Sequence, residues 1–142
     1  MNHQHKEGEQ CAICEFGIEE IERREKKHME DYGWYAHIVQ DDPDLPFGYN
    51  YHTHGFNYSW DHHDIQIILP IDSRLCHAIV NGIVNNLKKG KRYEVGPKYD
   101  DILDKYPVQF IHARECDRNV LRLILPDEDG ELKGDYLKQL ER

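Results

Sequence analysis

Long apolar runs are missing from this chain. No stretch comes near the roughly 20 consecutive apolar residues that cross a bilayer, and the opening Met1-Asn2-His3-Gln4-His5-Lys6 is too polar for the apolar region of a secretory signal. No membrane association is expected, and the setting is read as cytoplasmic. Cations are scarce as well: 18 Lys and Arg stand against 27 Asp and Glu, a net charge of −9. Such a surface repels phosphate backbones, so nucleic acid is not an expected partner. The basic run Lys88, Lys89, Lys91 and Arg92 reads instead as a helix C-terminus whose cations complement the dipole. Cysteine is sparse too. Four residues are too few for a disulfide scaffold, so the thiols are expected to be reduced.

Familiar catalytic signatures are also absent. The sequence has no GxSxG elbow, no phosphate-binding loop and no dinucleotide fingerprint. Ser73, Cys76 and His77 supply hydroxyl, thiol and imidazole groups, but neighbours on a helix diverge by about 100° and Cys76 cannot pair well with His77. Cys76 reads as a small core residue.

What remains is organised as one domain. Residues 1–10 are polar and aperiodic, a lead-in to a single domain over 11–142. From Glu15 to Tyr32, Ile18, Ile21, Met29 and Tyr32 form a thin apolar stripe among Glu, Lys and Arg, which predicts an amphipathic helix stopped by Gly33. Strands are predicted over 34–39, over Phe47 to Phe56 and over Ile65 to Leu69, the latter two forming a hairpin. Asp72 or Ser73 caps a helix running to Lys89, with Leu75, Ile79, Ile83 and Leu87 spaced by four. Two more strands cover Val108 to Ala113 and Val120 to Leu125, and a short helix around Tyr136, Leu137 and Leu140 closes the chain. The expected fold is α+β: a mainly antiparallel sheet packed against one central helix, with an amphipathic helix at the N-terminal end.

The order of these motifs resembles a bacterial domain-of-unknown-function family, number 4262. The shared pattern is Cys11-Ala12-Ile13-Cys14, then a helix, Gly33-Trp34, Thr53-His54-Gly55-Phe56, a strand-to-helix unit from Ile67 to Gly90, and Pro126-Asp127-Glu128-Asp129-Gly130. The similarity runs from about residue 11 to 131, and it implies no particular reaction. The sequence departs from the family pattern at His52, at His54 and at Asp61-His62-His63-Asp64, so a histidine site there would belong to this chain and its near relatives.

Two constellations could carry chemistry. Cys11 and Cys14 sit at CxxC spacing, and two thiolates so placed grip half a tetrahedral zinc ion. His112 with Cys116, spaced HxxxC, is the preferred second half, with His3 and His5 as the other candidates. A distant pair would pin the first helix to the sheet and add folding free energy. The second constellation starts from His52 and His54, two apart on a predicted strand and so on one face. A hairpin return brings His62, His63 and Asp64 near them. Imidazoles with a carboxylate and an open position would make a metal site of the hydrolytic type. A third reading is a binding module for a small molecule or a partner protein, using the aromatic cluster that includes Trp34, Tyr51 and Trp60. The expected function is therefore an uncharacterised domain holding one structural zinc ion, with a metal-dependent hydrolase or a binding module as alternatives.

Overall fold

The structure is a computed structural model that describes residues 17–141. Helix α1, Ile18–Tyr32, carries its half-buried positions Ile21, Glu25, His28 and Met29 along one stripe, and none of its residues is buried. It stops where the sequence puts a glycine. Gly33 takes the left-handed conformation at φ 85°, and its N–H closes on Met29 O. A Cβ at Gly33 would lie 2.8 Å from Ser59 Oγ, so close approach as well as backbone conformation requires glycine there.

Strand β1 (Tyr35–Val39) is followed by β2 (Asn50–His54), the five-residue helix α2 (Phe56–Trp60) and β3 (Ile65–Ile67). Helix α3 spans Ser73–Lys88; its cap is Asp72, whose carboxylate accepts from Arg74 N at 2.7 Å. Strands β4 (Gln109–Glu115) and β5 (Arg118–Ile124) form a hairpin, and a 3₁₀ helix over Gly134–Leu140 ends the described chain. The sheet runs β1-β2-β3-β5-β4 and is open. Three of its pairings are antiparallel, while β3 lies parallel to β5. The α+β class and its largely antiparallel sheet match the sequence expectation. The strand expected over Phe47 to Phe56 is shorter, because Gly55 turns the chain at φ 104° into α2, which the alternation of apolar residues did not announce.

The two faces of the sheet differ in chemistry. One face, with Tyr51, Ile67, Leu121, Leu123 and Phe110, packs against Cys76, Ile79, Val80, Ile83, Val84 and Leu87 of α3 to make the core. Removing this much apolar surface from water is the main stabilising term of the fold. Strand alternation sends the intervening residues to the other side. There the pairing register lines up His37, His52, Gln66, Arg122 and Ile111 in one row across all five strands. Among the described residues no helix is long and apolar enough to cross a membrane.

Candidate metal centre

His37 stands directly opposite His52, and Tyr35 opposite His54, in the antiparallel β1–β2 pair. Residues facing one another across such a pair share a face, as do residues two apart on one strand. The three imidazoles therefore converge: ring centroids lie 4.7 Å apart for His37 and His54, 5.1 Å for His52 and His54, and 5.6 Å for His37 and His52. One nitrogen from each comes within 4.8 Å of the others, close enough for a modest closing of the rings to let all three reach a single ion. Tyr35 stacks on His54 at 5.0 Å and 17°, closing one side.

A hydrogen-bond chain fixes the tautomer of His52. Arg122 is 2% exposed and, as a guanidinium, can only donate. Its Nε donates to Gln66 Oε1 at 2.8 Å, so Gln66 turns its amide nitrogen outward and donates to Asn50 Oδ1 at 3.1 Å. That same oxygen lies 3.1 Å from His52 Nδ1 and so accepts a proton from it. Nε2 of the neutral ring is left holding a lone pair, and it faces Glu115 Oε1 at 3.3 Å. Burial pushes the pKa of His52 down to about 4, and burial with the charge of Arg118 pushes His54 down to about 3. At neutral pH both rings are thus uncharged and able to ligate. His54 Nε2 is buried with no hydrogen-bond partner among the described residues. A lone pair set against a carboxylate, and a buried ring nitrogen that no described residue partners, are arrangements that a cation relieves.

Glu115 is an ionised neighbour. Burial alone would raise its pKa, but the Arg118 guanidinium, with Nε at 2.7 Å, outweighs this and holds the carboxyl below its usual range. The same guanidinium binds Asp64 Oδ2 at 2.8 Å and Thr53 O at 2.6 Å. Asp64 also accepts from Thr53 Oγ1 and Phe56 N, and burial still raises its pKa above the ordinary value. Beside Glu115 and Asn50 opens a cavity of about 570 Å³, floored by Gln66 and Arg122 and walled by Asp42 and Leu45.

The chain matches the family model described as "Domain of unknown function (DUF4262)" over residues 28–135. It belongs to this family. No curated protein and no solved structure matches it. All three histidines of the centre fall inside the matched span, whereas Glu25 of α1 precedes it.

The residues singled out from sequence are distributed as follows. His52 and His54 do share a face and a cluster. His62 turns elsewhere, donating from Nδ1 to His63 O at 2.7 Å and accepting Tyr93 N–H at Nε2 at 3.1 Å, so both its nitrogens are engaged. His63 lies against His112, with centroids 6.3 Å apart, and Asp64 is taken up by three donors, Thr53 Oγ1, Phe56 N and Arg118. Cys116 donates its thiol hydrogen to Glu115 Oε1 at 3.3 Å. Cys11 and Cys14, with His3 and His5, lie outside the described residues. Trp34 and Tyr51 are buried in the core and Trp60 packs on it, edge to face with Phe56. The member of the cluster that sequence reasoning missed is His37. Its signal was available: the expected β1 strand contains one histidine, and antiparallel pairing with an HxH strand is the simplest way to supply a third imidazole.

Proposed function

We propose that this protein binds one divalent transition-metal ion through His37, His52 and His54 on the polar face of its sheet. The observation that carries the reading is a pair of ring nitrogens, His52 Nε2 with its lone pair set against Glu115 and His54 Nε2 buried without a partner among the described residues. Three imidazoles beside a carboxylate suit zinc, iron, copper, nickel or cobalt rather than the oxygen-preferring magnesium or calcium. Asn50 and Glu25 play the part of the outer partners that orient ligating histidines.

A second reading, metal-dependent hydrolysis, is favoured by one feature. Glu115 is ionised, borders both His52 and the 570 Å³ cavity, and so stands where a general base would meet a metal-bound water. Three protein ligands with an open position are the pattern of catalytic rather than structural zinc.

The test is a titration of metal-free protein with Zn²⁺ and Co²⁺. One ion per chain is expected, abolished when His37, His52 and His54 are all replaced by Ala and retained in Cys11→Ser/Cys14→Ser. Bound Co²⁺ would show imidazole coordination without thiolate charge-transfer bands. A strong thiolate band lost in the cysteine variant would instead favour the Cys11, Cys14, His112, Cys116 zinc set. Equal binding by wild type and the triple histidine variant would end the proposal.

A further inference from the structure

Helix α1 lies against the edge strand β1 with no buried residue, so its position depends on a few specific holds. Two of them sit close to its C-terminal end. His28 Nδ1 bonds Trp34 O, and Met29 packs on Gly55 so tightly that a Cβ there would lie 2.7 Å from its sulfur. The third is Glu25, about one turn further from Gly33, whose carboxylate bonds His37 Nε2. Glu25 occupies the middle of the half-buried stripe, between Ile21 and His28. Among the described residues it is thus the hold nearest the N-terminal part of α1, and its partner is one of the three clustered imidazoles.

We infer that Glu25 is a positioning residue for the metal centre, and that through it ion binding and the docking of α1 are coupled. The inference rests on the metal reading above. The carboxylate accepts the Nε2 proton, which leaves the ring's lone pair on Nδ1, turns the imidazole and raises its basicity toward an ion. The reverse also holds. A cation on one nitrogen withdraws electron density and makes the other N–H a stronger donor, so the bond to Glu25 tightens and draws α1 onto the sheet. Thermodynamic linkage makes the two effects equal in size. The partner comes from a segment preceding the family match, so this coupling need not be a property of the family.

Hydrogen exchange on the full chain, metal-free and Zn²⁺-loaded, tests this together with Zn²⁺ affinity for wild type, Glu25→Ala, Glu25→Gln and the control Lys27→Ala. Zn²⁺ is expected to slow exchange across 18–32 in wild type and in the control. Glu25→Ala should weaken Zn²⁺ binding about 10- to 100-fold and remove that protection, while exchange in α3 stays unchanged and certifies the fold. Glu25→Gln, which keeps an acceptor, should recover part of both. Wild-type affinity in Glu25→Ala, or Zn²⁺ binding that leaves α1 exchange untouched, would overturn the coupling and leave the metal reading standing. No Zn²⁺ binding by wild type would overturn both.

Discussion

The two faces of one sheet obey different rules. Beneath α3 the side chains are apolar and their contribution is area removed from water, which depends little on direction. On the opposite face Arg122, Gln66, Asn50 and His52 form a chain in which every proton has one allowed place, because its first member can only donate. The apolar face makes the domain stable. The polar face is built at a cost in stability, and its ordered lone pairs are what an ion would use.

Breaking the apolar face should have the largest effect. Phe110 is 1% exposed and touches Tyr93 and Tyr99, so Phe110→Ala is expected to cost about 3–5 kcal/mol in urea denaturation while leaving Zn²⁺ stoichiometry unchanged in the folded fraction. A folded variant that had lost its ion would show that the faces are not separable.

Acid should act next, through the polar face. His52 and His54 titrate in the folded state at about 4 and 3, below the unfolded value of about 6.5. Below about pH 6.5 the unfolded chain takes up protons that the folded chain refuses, so stability falls with pH until the folded pKa values are reached. The limiting slope is about 1.4 kcal/mol per pH unit for each ring. Asp64, raised by burial, works in the opposite direction, and His54 is only partly covered, so a net loss of about 1–3 kcal/mol between pH 7 and pH 5 is expected for chelator-treated protein. A flat profile would mean that the rings are solvated.

Replacing Asn50 should sharpen the comparison further. Asn50→Ala removes the acceptor that fixes the His52 proton on Nδ1 and frees the ring to place it on Nε2 toward Glu115. Zn²⁺ affinity should fall about 10- to 100-fold. Isothermal titration on a variant with native-like circular dichroism measures this. Unchanged affinity would show that the chain from Arg122 has no hold on the tautomer.

These differences also explain what could be read in advance. Helix α3 was legible because Ile79, Ile83 and Leu87 repeat at its period and Asp72 caps it, a local signal that tertiary structure does not need to complete. His52 and His54 were legible as a pair for the same reason, since two residues apart on a strand is a local relation. His37 was not paired with them, because its role depends on β1 lying antiparallel to β2 in one particular register, a non-local fact. His62 and Asp64 misled by proximity along the chain: α2 intervenes, and the backbone donors of Tyr93 and Phe56 claim them. Arg122 reads as an ordinary charged residue in a strand until the 3₁₀ helix lays the backbone oxygens of Gln139 and Glu141 against it.

The smallest expected effect is the most telling, because its sign differs between the metal-free and the metal-loaded protein. In metal-free protein His54 Nε2 is buried without a partner among the described residues, and an unsatisfied buried polar atom costs about 1–3 kcal/mol. Leucine in its place keeps an apolar body against Tyr35 and brings no polar atom to leave unpaired. His54→Leu should therefore raise metal-free stability by about 1 kcal/mol, reduce the acid slope by one ring's share, and abolish tight Zn²⁺ binding. Zn²⁺ should then stabilise wild type and not the variant, so that their order of melting temperatures reverses on loading. A histidine that lowers stability without the ion and raises it with the ion is held in place by binding. If His54→Leu destabilised both forms alike, the ring would be a packing residue.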